Sequence, residues 1–258
     1  MLGHILRARV VVNTLVSVIL FTTVWFLASR FLFNPRLIPG PLEVGQAALP
    51  MFATGEMPDH ILASLKRVAV GFSLAMVTAI ALGLLMGRLR MLNEVTDPVA
   101  QLLRALSPTA MIPIAIVWFG IGEESKYFLC FWGAFFLILF NTVAGSMAAP
   151  VQRQRAAQCL GASRRQVFLR VVLPSALPYI RVGLRLGLTS AFISVIPAEM
   201  LAARSGVGYL LQQASIFVQT DRIFVALATL ALLGFLADRA MSLVFQVCFS
   251  RYVSYVGK

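Results

Sequence analysis

The chain of 258 residues is 59% hydrophobic and only 12% charged, with a mean hydropathy of +0.86, whereas a soluble globular domain carries about 25% charged residues. These values exclude an ordinary soluble domain and place most of the chain in a bilayer. The net charge of +12 is a poor argument for nucleic acid, because Lys and Arg gather in the cytoplasmic connections of membrane proteins.

In chain order, the runs long enough to cross about 30 Å of hydrocarbon are 10–28, 68–86, 98–120, 127–147, 184–201 and 223–247. The first follows Arg7 and Arg9 and outruns the roughly 7–15 apolar residues of a cleaved signal, so it reads as an uncleaved span. The connection 34–60, with five prolines, predicts an external segment with a short surface helix. In the second span Gly71, Gly83 and Gly87 suit close helix packing, the last two as a GxxxG pattern. The run 98–120 contains Arg104 and is interrupted by Pro108 and Pro113, which predicts a kinked helix shielded by neighbours. Glu123, Glu124 and Lys126 read as a solvated outer turn.

Between the fourth and fifth spans lies RAAQCLGASRRQVFLRVVLP, 155–174, with four arginines. A single arginine at the bilayer centre costs between about 3 and more than 10 kcal/mol, so the segment must stay in water. Val151 to Leu160 is a good helix former, and Gly161 stands where a helix C-terminus wants positive φ. Ser163 with Gln166 makes a capping box for a second helix. Val167, Phe168, Val171 and Val172 form that helix's apolar stripe, and Pro174 is expected to break it before Pro178 and the fifth span. The small residues Ala156, Ala157 and Gly161 admit a close backbone, and the arginines attract an acidic surface. Composition alone fits docking to a protein and lying on anionic lipid equally well. Six spans with an internal N-terminus leave only Arg30, Arg36, Lys66, Arg67, Lys126, Arg204 and Arg222 of the basic residues outside, so both termini and this segment are expected in the cytoplasm.

Glu199 follows Pro197 near the outer end of the fifth span. An ionisable residue there is expected to pair with a neighbour such as Arg204. Asp238 and Arg239 interrupt the sixth span and should satisfy one another or nearby helices. Cys130, Cys159 and Cys248 give no disulfide framework and read as packing residues. His4 and His60 lack metal-ligand spacing, and no set of residues suggests a catalytic centre. No internal repeat is evident, and no GxxxxGK[ST] loop is present to cradle nucleotide phosphates.

The pattern AAxxxGA followed by LP, carried by Ala156, Ala157, Gly161, Ala162, Leu173 and Pro174, resembles the EAA signature of permease subunits in binding-protein-dependent ABC importers. SLKRVAVGF (64–72), IPIAIVWFGIGEESK (112–126), LPSALPYIRVGLRLGL (173–188) and AEMLAARSGVGYLL (198–211) resemble its nitrate, sulfonate and taurine branch. The resemblance spans roughly residues 35 to 245. It implies an all-α membrane protein of the type I ABC importer permease (MetI-like) architecture, with six transmembrane helices and cytoplasmic termini. One permease domain would fill 1–258, with the first span and periplasmic connection in 1–60 and core helices in 61–247 around a coupling segment at 151–174. The family's role implies contact with a cytoplasmic ATPase through Arg155, Ala156, Ala157, Leu160, Gly161, Ala162 and Ser163. It also makes Glu199, Met200 and Ser194 candidates for the translocation path or gate. Expected partners are ABC ATPase subunits that bind ATP and Mg, a periplasmic or lipid-anchored substrate-binding protein, and a second permease copy, as a homodimer in the inner membrane. No cofactor, metal or nucleic acid is expected on this chain. Arg155 stands where the motif has glutamate, so a contact made through that acid does not carry over.

Overall fold

A computed structural model describes the backbone of residues 2–32, 34 and 37–248, and the side chains of residues 16–247 except those of 33, 35, 36 and 246. The side chains of His4, Arg7, Arg9, Arg36 and Cys248, and all of Arg251 and Lys258, lie outside the described residues. Among those described, the chain is helical with no strand. In order come α1 (Leu2–Phe31), α2 (Pro41–Ala53), α3 (Glu56–Arg88), α4 (Arg90–Arg104), α5 (Ile112–Phe119) and α6 (Glu123–Met147). They are followed by α7 (Val151–Cys159), α8 (Arg164–Val167), a π-helical turn (Phe168–Val172), α9 (Leu173–Ala202), α10 (Val207–Ile216) and α11 (Thr220–Cys248). Four helical segments are long and apolar enough to cross a membrane: Glu56–Arg88, Glu123–Met147, Arg164–Ala202 and Thr220–Phe245. Val16–Phe31 is a shorter apolar helix.

The core is α6 held between α3 and α9. In lipid the hydrophobic effect does not drive helices together, so small residues that let backbones approach do much of the packing. Gly71, Gly83 and Gly87 all abut α6, as their spacing predicts; a Cβ at Gly83 would lie 2.8 Å from that of Thr142. Gly183 and Gly187 do the same from α9, meeting Asn141 and Ile138. Around these contacts Val68, Phe72, Ala79, Leu139, Leu184 and Val195 are buried. A second cluster joins α2, α3, α10 and α11 through Val44, Met51, Met57, Leu210 and Val225. Helix α2 is the predicted surface helix. Pro41 opens it, and Glu43 Oε2 accepts from the Gly40 N–H at 2.8 Å.

Three elements differ from expectation. The run 98–120 is not one kinked helix: α4 ends at Arg104 and α5 starts at Ile112. Pro98 is tolerated inside α4, whereas Pro108 lies in the break, where Trp132 Nε1 donates to the Leu106 carbonyl at 3.2 Å. Nor is it fully shielded, since Val117 and Trp118 are exposed in the single chain. Secondly, α10 occupies a stretch with no predicted helix. Thirdly, Pro174 breaks nothing. The preceding turn widens to π geometry, with Leu173 N–H donating to the Phe168 carbonyl five residues back, and proline enters at the first turn of α9. The wider turn removes the usual collision between a proline ring and the carbonyl four residues earlier.

Candidate coupling surface and a buried ion-pair cluster

The predicted helix–turn–helix is present at 151–172. Helix α7 ends in a Schellman turn: Ala162 N–H donates to the Ala157 carbonyl at 3.0 Å and Gly161 N–H to Gln158 at 2.9 Å. Gly161 has φ +83°, the left-handed region that this turn requires. Immediately afterwards Ser163 Oγ accepts from Gln166 N–H, and Gln166 Oε1 accepts from Ser163 N–H, closing the capping box. Five hairpin residues, Arg155, Ala156, Leu160, Gly161 and Ser163, are exposed, while Ala157 and Ala162 are half-buried. Val167 is buried and Phe168, Val171 and Val172 are half-buried, so the predicted apolar stripe faces the protein. Leu160, 89% exposed, projects from a tip rimmed by Arg153, Arg155, Arg164 and Arg165, none of which meets a described carboxylate. A rigid turn offering one large apolar side chain inside a basic rim is suited to a groove with acidic edges.

At the opposite end of α9, Glu199 is 0% exposed. Its carboxylate accepts from Ser64 Oγ at 2.8 Å, Arg67 Nη1 at 2.8 Å and the Gly208 N–H at 2.9 Å. Arg67, itself 2% exposed, turns its other edge to Glu123, with Nε and Nη2 donating at 2.7 and 2.8 Å, and reaches the Ser205 carbonyl at 2.6 Å. Lys126 Nζ completes the cluster on Glu123 at 2.9 Å. Two carboxylates thus face two cations, which is how ionic groups survive burial. The loop before α10 is bound in as well: Val207 N–H donates to Ser64 Oγ at 2.9 Å and Gly206 N–H to His60 Nδ1 at 3.0 Å. Gly206 has φ +119° and its backbone lies directly on the Glu199 carboxylate.

Glu199 therefore pairs with Arg67, not Arg204, because α9 packs on α3 while Arg204 lies exposed beyond the helix end. The turn of Glu123, Glu124 and Lys126 is solvated only in part: Glu124 is exposed and Glu123 half-exposed, whereas Lys126 is buried, because its ion pair with Glu123, itself held by Arg67, draws it against the protein. The three path candidates point differently. Glu199 faces α3 and α10, Ser194 Oγ donates to the Ser190 carbonyl at 2.7 Å and packs on Gly133 of α6, and Met200 is half-buried. His60, Ser64 and Arg67 were missed; spaced four and three apart, they form one polar stripe on α3, and that periodicity was the available signal. Asp238 is satisfied by the neighbouring helix, Arg185 Nη2 of α9 donating to its Oδ2 at 2.8 Å, while Arg239 lies 5.2 Å from the Phe235 ring centre; the two do not satisfy one another. Cys130 is buried in the core and Cys159 exposed on α7. No cluster of metal-ligating side chains occurs among the described residues.

Comparison with known proteins agrees with this architecture. Residues 79–246 match the family described as binding-protein-dependent transport system inner membrane component. A probable ABC transporter permease protein of Brucella melitensis is 39% identical over 80% of this chain and 83% of its own length. The taurine transport system permease protein TauC of Escherichia coli is 35% identical, covering 85% and 82%, and the nitrate import permease protein NrtB of Synechocystis is 34% identical, covering 78% and 77%. A solved chain of the MetNI methionine ABC transporter, in an inward-facing conformation, superposes with a TM-score of 0.65 at 19% identity, covering 77% of this chain and 97% of that one. The chain is a multi-pass, all-helical membrane protein that belongs to the inner membrane component family of binding-protein-dependent ABC transport systems.

Proposed function

We propose that this chain forms the translocation path of an importer for a small organic or inorganic anion of the sulfonate, taurine or nitrate class, and couples that path to ATP hydrolysed by a separate subunit. Relatives named for taurine, nitrate and aliphatic sulfonates support the solute class. The observation that carries the coupling role is the hairpin tip. Gly161 at φ +83° and the capped Ser163 fix a turn that presents Leu160 to water, a cost a lone chain has no reason to bear.

In this reading Arg155, Ala156, Ala157, Leu160, Gly161, Ala162 and Ser163 enter a groove of a cytoplasmic ATPase, which holds ATP and Mg. A soluble or lipid-anchored binding protein delivers solute from outside. Two copies of the chain flank the path, each engaging one ATPase subunit. The chain catalyses nothing itself. It sits in the inner membrane with six crossings and internal termini, α4 and α5 together making the third, and the Glu199 cluster at the outer face. Glu199, Met200 and Ser194 then act on the path through helix placement.

The test is solute uptake in proteoliposomes that hold the chain, its ATPase and external binding protein. Uptake should require internal ATP and the ATPase subunit. Uptake that persists without the ATPase would replace this reading with a channel or secondary transporter. A cysteine introduced at Gln154 should be labelled from the cytoplasmic side; labelling only from outside would overturn the topology.

A further inference from the structure

Between the inner end of α3 and the hairpin lies a cavity of about 250 Å³, whose polar wall is Arg88, Ser146, Gln154, Gln158 and Arg164. No carboxylate lines it. The Arg88 guanidinium, on an exposed residue, lies 5.3 Å from the centre of the Phe168 ring, a contact that orients it without neutralising its charge. Neither Arg88 nor Arg164 forms an ion pair with a described residue. Gln154 spends one N–H on the Ala149 carbonyl at 3.0 Å and has a second. Ser146, 5% exposed, lies against Gly87 and its Oγ finds no hydrogen-bond partner among the described residues. A buried hydroxyl is rarely left so.

The wall thus holds two guanidinium groups, two carboxamides and an unsatisfied hydroxyl. That is a surplus of donors and positive charge with no anion among them. A tetrahedral oxyanion offers three or four acceptor oxygens to such a fork, and guanidinium groups bind it bidentately. We infer that this cavity binds one small oxyanion per chain, of the sulfate, sulfonate or phosphate class, bridging α3, α6 and the coupling hairpin. The site stands whether or not the hairpin docks an ATPase. A bound anion would tie the hairpin to the inner end of α3, so that its movement against the core depends on occupancy. The same chemistry is offered by a free cytoplasmic anion and by a lipid phosphate.

Sulfate and inorganic phosphate titrated calorimetrically into the chain, purified in zwitterionic detergent and stripped of anionic lipid, should show one saturable site. Arg88→Gln and Arg164→Gln should each weaken it about tenfold or more, the loss of one strong charge-assisted contact. Arg153→Gln, with its side chain exposed on α7 outside the cavity, should leave it unchanged. Arg164 is exposed in the first turn of α8, so Arg164→Gln is expected to unfold at the wild-type temperature and keeps the test decisive if Arg88→Gln is unstable. No saturable heat with the wild type, or equal weakening by all three substitutions, overturns the site. Repeating the titration in nanodiscs identifies its source. Sulfate binding lost in phosphatidylglycerol but kept in phosphatidylcholine assigns the site to a lipid headgroup, and equal binding in both assigns it to a free anion.

Discussion

Glu199→Ala removes the carboxylate on which three buried donors converge. Removing one partner of a buried ion pair costs about 3–5 kcal/mol, because the remaining charge is stranded. Arg67 here keeps Glu123 on its other edge and, through Nη1, the Ser205 carbonyl, which favours the lower end. Against that, Ser64 Oγ and the Gly208 N–H lose an acceptor in a site closed to water, each worth about 1–3 kcal/mol and overlapping with the first term. A loss of about 4 kcal/mol follows. At about 2–4 °C per kcal/mol for a chain of this size, the unfolding midpoint in detergent should fall by roughly 8–16 °C. Tryptophan fluorescence against temperature reads it. The double variant Glu199→Ala/Arg67→Met should lose about 1–3 kcal/mol less than the sum of the single losses, because no charge is left stranded. Arg204→Ala, at an exposed side chain with no described carboxylate partner, should stay within about 0.5 kcal/mol of wild type. If Arg204→Ala matches Glu199→Ala, or the double variant is additive, the cluster is not what holds α3 to α9.

Gly161→Val has open space around its new side chain, so its cost should be only the left-handed strain of about 1–2 kcal/mol; the chain should insert and dimerise but lose ATPase binding or stimulated hydrolysis in proteoliposomes, with Arg155→Ala affected less. Normal transport by Gly161→Val would make the hairpin a lipid-surface element. Gly83→Val drives side-chain atoms into Thr142 and the Leu139 carbonyl and should lose about 1–3 kcal/mol by overpacking, seen as a lower unfolding midpoint. Gly206→Ala combines an unfavourable backbone, about 1–3 kcal/mol, with a collision against Glu199; in a Glu199→Ala background its penalty should shrink, and an undiminished penalty would mean the collision is relieved elsewhere.

What was legible in the sequence was local. Gly161, Ser163 and Gln166 lie within six residues, and their turn chemistry needs no partner, so the hairpin was read almost atom for atom. The glycines of α3 were readable because close packing demands small residues wherever the partner lies. Pro174 was misread because the rule for proline assumes an α-helical ring, and the π turn sets that assumption aside. Glu199 and Arg67 stand 132 positions apart; periodicity on either helix gives no partner, so the nearer Arg204 stood in for the true one. Helix α3 starts well before the predicted span because its first turns are covered by α2, α10 and α11, and so need not look apolar throughout.

The π turn that lets Pro174 pass also changes the mechanics of the chain. Because the helix does not break there, Arg164–Ala202 is one segment of 39 residues, roughly 58 Å long at about 1.5 Å per residue. It runs from the capped hairpin tip to the residue locked among Ser64, Arg67 and Gly208. A rod of that length turning by about 5° about its middle would carry its two ends through roughly 2.5 Å each, in opposite directions. Pro178 and Pro197 within α9 are the places where such a lever arm can flex, so its stiffness is set near its two ends while the glycine-packed middle acts as the fulcrum.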